Sequence, residues 1–212
     1  INSTLALLFS VSLIAGGDTY TVDTKTSSLE WIGKKVTGSH EGTIQLIGGT
    51  VVFDGDKISS GEIIIDMNTI MVTDIDDKEM NAKLKGHLTS ADFFGVEAHP
   101  KGILKILSST KMADNKINLI CELTLKGISK RIEIPATLMQ EESKLVAIGE
   151  IEIDRTMYDI KYGSGSFFDN LGDNNNILEQ EQIKSIVKFF NHNLICFLVC
   201  KKENYSFDNQ DL

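Results

Sequence analysis

Ile117-Asn118-Leu119-Ile120-Cys121-Glu122-Leu123-Thr124-Leu125 alternates apolar and polar residues, with Ile120 the one exception. Successive side chains of a strand point to opposite faces, so Ile117, Leu119, Cys121, Leu123 and Leu125 share one face. A helix would scatter those five around its circumference. The stretch reads as a half-buried antiparallel strand, one face apolar and the other wet.

The period of two extends in both directions. Ile63, Ile65 and Met67 oppose Glu62 and Asp66; Ile132, Ile134, Ala136 and Leu138 alternate with Arg131, Glu133 and Thr137; Ala147, Ile151 and Ile153 oppose Glu150, Glu152 and Asp154. Reversal signals separate the runs: Gly48-Gly49, Asp54-Gly55-Asp56, Ala113-Asp114-Asn115 and Lys126-Gly127-Ile128-Ser129. Strands are predicted over 19–24, 27–37, 42–54, 57–68, 102–111, 116–126, 130–140 and 144–155. One segment breaks the pattern. Residues 76–85, rich in helix formers with acids leading bases and Met80 and Leu84 four apart, predict one short helix.

Many strands with one apolar face and short turns predict an all-β sandwich or closed barrel, its apolar face inward. Charges on the opposite face exclude a transmembrane barrel, whose outer face must be apolar. The 212 residues, 42% hydrophobic and 24% charged, suit one domain with terminal extras. A formal net charge of −9 excludes a nucleic-acid partner held by clustered Lys and Arg. At the start, the apolar run Leu5–Ala15 followed by Ala15-Gly16-Gly17 predicts a signal peptide over 1–17, its beginning missing, and a periplasmic or secreted address. Three cysteines, Cys121, Cys196 and Cys200, give no disulfide framework, although a Cys196–Cys200 bridge stays open as an alternative to free thiols.

Longer motifs carry a resemblance. Tyr20-Thr21-Val22-Asp23 with Ser27-Ser28-Leu29-Glu30-Trp31, the run Gly61–Ile70, His87-Leu88-Thr89-Ser90-Ala91-Asp92-Phe93-Phe94, Val96–Pro100 and Asp154-Arg155-Thr156-Met157-Tyr158 onward to Gly165 resemble the YceI-like family over about residues 19–173. The resemblance implies an extended lipocalin-like barrel of about eight antiparallel strands over 18–173. It also implies export to the periplasm and binding of a long apolar isoprenoid (a polyprenyl lipid or isoprenoid quinone) or a fatty amide. Since no phosphate loop, dinucleotide fingerprint or pair of catalytic carboxylates stands out, no cofactor and no catalysis are expected. Oligomeric state stays open, a homodimer included.

The sequence departs from this pattern after Asp173, where a closing strand is expected. Residues 174–212 turn rich in Asn, Ile, Lys and Phe without clean alternation. Two accounts stand. Either the terminus is read out of frame and the barrel keeps an open edge, or the tail's apolar part supplies the closing strand by another route.

A lipid site in such a barrel is a continuous apolar cavity. Inward candidates are Leu29, Trp31, Ile63, Ile65, Leu104, Ile106, Leu119, Leu123, Ile134, Ile151 and Ile153, which would line a cavity or fill a dry core. Phe93, Phe94, Tyr158, Tyr162, Phe167 and Phe168, in loop-like segments, would frame an opening or pack the loops onto the barrel. His40, His87, His99 and His192 have no metal-ligand spacing. Asp74–Glu79 lacks the central Gly and terminal Glu of a calcium loop and reads as a helix start, and Gly163-Ser164-Gly165-Ser166 reads as a turn, not a nucleophile loop. An enzyme acting on a lipid in the same cavity, or a structural module with a filled core, are the competing readings.

Overall fold

The computed structural model describes residues 17–35, 38–141, 143–160 and 191–202. Strands β1 (Asp18–Val22), β2 (Ser28–Lys35), β3 (Gly38–Asp54), β4 (Lys57–Val72), β5 (Lys101–Lys111), β6 (Lys116–Leu125), β7 (Ile128–Glu141), β8 (Lys144–Asp154) and β9 (Asn191–Lys202) form one antiparallel sheet. Helix α1 (Lys78–Thr89) lies between β4 and β5, and a 3-10 turn (Arg155–Tyr158) follows β8.

The sheet closes on itself. β3 pairs with β4, the ladder continues in sequence order to β9, and β9 pairs with β2, which returns to β3. β1 and β2 occupy one position, since both run between β3 and β9 in the same sense. They are one long strand interrupted at Asp23, whose carbonyl accepts the Thr26 and Ser27 N–H groups at 3.2 and 2.9 Å. The result is an eight-position barrel of the lipocalin-like class.

Every strand predicted from the sequence is present. β4 continues past the predicted Asn68 to Val72, with Ile70 and Val72 buried at 1% and 4% exposure, because Thr69–Val72 keeps the period of two. The helix begins and ends later than predicted. Asp77 is its cap and not its second residue, its Oδ1 accepting Met80 N–H at 2.8 Å. Beyond Lys85 the helix runs through Gly86, a poor helix former, because buried Leu88 anchors the last turn. The tail contributes β9, so the position that an out-of-frame terminus would have left as an open edge is filled by ladders to β2 and β8. The predicted signal peptide, Gly17 excepted, and the Gly163–Ser166 turn lie outside the described residues.

One end of the barrel carries the hairpin and turns at Gly55, Asp114 and Lys144, above buried Tyr20, Phe53, Ile58, Ile117 and Leu145. The other end carries α1, the loop 90–100 and the 3-10 turn. Asn81 fixes α1 by donating Nδ2 to the Val72 and Ile75 carbonyls, both at 3.0 Å. The loop 90–100 folds back on the helix, with Phe94 N–H on the Leu88 carbonyl and Val96 N–H on that of Thr89. Leu88, Phe93, Val96, Tyr158 and Ile160 bury their side chains there, so this end is lidded.

Candidate functional site: an apolar barrel interior under a lid

The inward positions of successive strands meet in two apolar cavities. The first, about 50 Å³, lies under the lid between Leu29 and Trp31 of β2, Ile65 and Met67 of β4, Leu123 and Leu125 of β6, Phe94 and Ile160. The second, about 30 Å³, lies mid-barrel among Leu46, Ile63, Leu104, Ile132, Ile134 and Ile151. Leu29, Ile65 and Leu123 belong to both walls, so the two form a row along the barrel axis separated by a single layer of side chains. Small-molecule sites commonly enclose about 300–1,000 Å³. Against that range the interior stands closed in this conformation.

Trp31 occupies the lid end because its partners leave no other place for it. Its register partner on β3 is Gly42, and its indole Nε1–H donates to the Met71 carbonyl at 3.1 Å. A Cβ on Gly42 would lie 1.8 Å from that carbonyl and 2.7 Å from the Trp31 ring, so only glycine lets β3, β4 and the indole approach this closely.

Arg155, 3% exposed, is the buried charge of the site. One guanidinium nitrogen donates to the Ile160 carbonyl at 2.7 Å, and the guanidinium carbon sits 5.4 Å from the centre of the Phe93 ring. It thereby ties the 3-10 turn to the lid loop. Burial pulls its pKa down to about 10, while neighbouring Asp154 acts in the opposite direction, so Arg155 is still a cation at neutral pH. Phe93 also meets His87 and Phe94 edge-on, with ring centres 5.5 and 4.9 Å apart.

The inward candidates separate by role. Leu29, Trp31, Ile63, Ile65, Leu104, Leu123, Ile134, Ile151 and Ile153 line one or both cavities. Ile106 and Leu119 face inward but are packed as core, at 2% and 6% exposure. Of the aromatics, Phe94 lines the lid cavity, whereas Phe93 and Tyr158 pack the lid onto the barrel. Tyr162, Phe167 and Phe168 lie outside the described residues. Ile44, Leu46, Met67, Leu125 and Ile132 line the cavities as well, and the period of two marks Met67, Leu125 and Ile132 through their neighbours. Arg155 and Ile160 had no such signal, because the alternation stops at Asp154. His40 forms no part of the interior; its Nδ1 pairs with Asp74 Oδ2 at 2.8 Å beside the start of the lid.

A closed antiparallel barrel with one lidded end and a predominantly apolar interior has the lipocalin-like fold. The YceI-like domain matches residues 20–179, and the chain belongs to the YceI-like family. Among solved structures it is similar to BcnA of Burkholderia cenocepacia, at 22% identity and a TM-score of 0.62, covering 85% of this chain and 99% of that one. It is also similar to a Campylobacter jejuni YceI protein, at 14% identity and a TM-score of 0.52, covering 73% and 80%. Curated proteins include no match.

Proposed function

We propose that the protein is an exported carrier that holds one long apolar chain, an isoprenoid such as a polyprenyl lipid or quinone, along the barrel axis. The observation that carries this reading is the row of two apolar cavities sharing Leu29, Ile65 and Leu123. A chain threaded along that row displaces a single layer of side chains. Each buried CH₂ contributes about 0.8 kcal/mol, so a few prenyl units offset the work of opening the interior. The apolar run Leu5–Ala15 supports a periplasmic or secreted location.

Binding is favoured over catalysis by the state of the nucleophiles. Burial pushes the Cys121 thiol up to about 12 and the Tyr158 hydroxyl up to about 12, the reverse of activation. The smallness of the cavities favours a second reading, a structural module with a filled core. Native mass spectrometry of protein purified from a bacterial periplasm, with organic extraction, separates the two. A co-purified prenyl lipid or quinone supports the carrier. An apo mass that persists after incubation with prenyl quinones and fatty amides leaves the filled core.

A further inference from the structure

The barrel wall is zipped unevenly. β7 and β8 are paired from Glu141↔Lys144 only as far as Ala136↔Gly149. Beyond that rung β7 continues back to Ile128 along its ladder to β6, and β8 continues to Asp154 along its ladder to β9, with no β7–β8 rung among the described residues. Among the described residues, then, a slot runs between 128–135 and 150–154, from mid-barrel to the lidded end.

Local chemistry places the top of this slot. Pro135 is the first residue past the last rung, and its carbonyl oxygen lies 3.2 Å from where a Cβ of Gly149 would stand. In an antiparallel strand a residue directs its N–H and C=O to the same neighbour, so the donor that proline lacks is the one that would continue the β7–β8 ladder. The bottom of the slot is tied by Lys126 Nζ, which donates to the Asp159 carbonyl at 3.1 Å. Its inner rims are Ile132 and Ile134 on one side and Ile151 and Ile153 on the other, all of them cavity walls. Ile132 and Ile151 are only half-buried. The outer rims are the exposed Arg131, Glu133, Glu150 and Glu152.

Two other interruptions of the wall, among the described residues, carry local hydrogen bonds. Where β4 and β5 part at the far end, Ile58 N–H donates to Ser109 Oγ at 2.8 Å, and the break between β1 and β2 is folded on itself at Asp23. With one end lidded and the other packed around Tyr20 and Phe53, we infer that the slot between β7 and β8 is the lateral portal through which a lipid chain reaches the interior. Its apolar inner rim admits a single flexible prenyl or alkyl chain sideways, and its polar outer rim leaves the head group in water. This rests on the carrier reading above.

The test is a clamp across the slot. Glu133 and Glu152 are exposed and would face each other if the ladder continued in register. The Glu133→Cys/Glu152→Cys protein is bridged with a thiol-cleavable bismaleimide, and Lys105→Cys/Glu122→Cys is bridged as the control on an intact β5–β6 rung away from the slot. Uptake of all-trans-retinol, a fluorescent prenyl chain, is followed by quenching of Trp31, the one tryptophan. The slot clamp is expected to slow uptake at least about tenfold, with the rate restored when the clamp is cleaved, while the control clamp leaves it unchanged. Unchanged uptake under the slot clamp, or equal slowing by both clamps, overturns the portal while the carrier reading stands. If neither retinol nor a long prenyl quinone binds the unclamped protein, the carrier reading falls and takes the portal with it.

Discussion

At the scale of single residues, two glycines show how little composition says about the sign of a substitution. Gly42 is pressed between the Met71 carbonyl and the Trp31 ring, and an added Cβ meets backbone that has nowhere to go. Gly86 sits exposed in α1 with nothing within 4 Å of an added Cβ. Gly42→Ala is therefore expected to destabilise by about 1–3 kcal/mol as overpacking. Gly86→Ala is expected to stabilise by about 1 kcal/mol through helix propensity. Urea unfolding of the two variants beside the parent checks both signs, and a neutral Gly42→Ala would mean that the β3–β4 approach at Trp31 is looser than described. The sequence marks Trp31 as inward by alternation alone. That its partner had to be glycine was not legible, because the close approach at Gly42 depends on β3 pairing with β4, whose Met71 comes much later in the chain.

At the scale of elements, the lid is held by its connections more than by its own helix. The segment joining β4 to α1 is fastened to the start of β3 at Asp74, which takes His40 Nδ1 on one oxygen and Glu41 N–H on the other, at 2.8 and 3.2 Å. Thr73 N–H returns to the Glu41 carbonyl at 2.9 Å. Partial burial raises the Asp74 pKa, but the hydrogen bonds from His40 and Glu41 outweigh it and leave the carboxyl below its ordinary 3.8. A carboxylate with a depressed folded-state pKa contributes stability above its unfolded value, and that contribution is lost as pH falls through the folded value. Asp74→Asn should accordingly be less stable than the parent at neutral pH, with the gap narrowing below 3.8. Thermal unfolding of both proteins from neutral down to about pH 2 measures it. A gap that is constant with pH would assign Asp74 a role independent of its charge. The sequence predicts the helix from its formers and acids, yet not the fastening of its leading segment, since His40 and Asp74 meet only once β3 and β4 are paired.

At the scale of the whole molecule, closure is the property that the chain must achieve and the one that alternation cannot reveal. A period of two says which face of each strand is buried and leaves the neighbours unspecified. The tail is the part of the chain that the period of two leaves unassigned. Its apolar run keeps no clean alternation, and a strand flanked on both sides by partners needs none to be held by its ladders. In the fold β9 pairs with β2 from Ser28↔Phe197 to Gly33↔His192 and with β8 from Lys144↔Lys201 to Asp154↔Asn191. Removing it would leave two long edges on either side of an apolar interior, the arrangement that invites edge-to-edge association. A chain ending before Asn191 is thus expected to lose its cooperative unfolding transition and to elute as aggregate in size-exclusion chromatography with light scattering. The comparison is informative because the ladders from β3 through β8 remain intact in the shortened chain. If it instead stays monomeric and unfolds at the parent's midpoint, then β9 contributes nothing to stability, and the open edge becomes a second route to the interior that the clamp across β7 and β8 would not block.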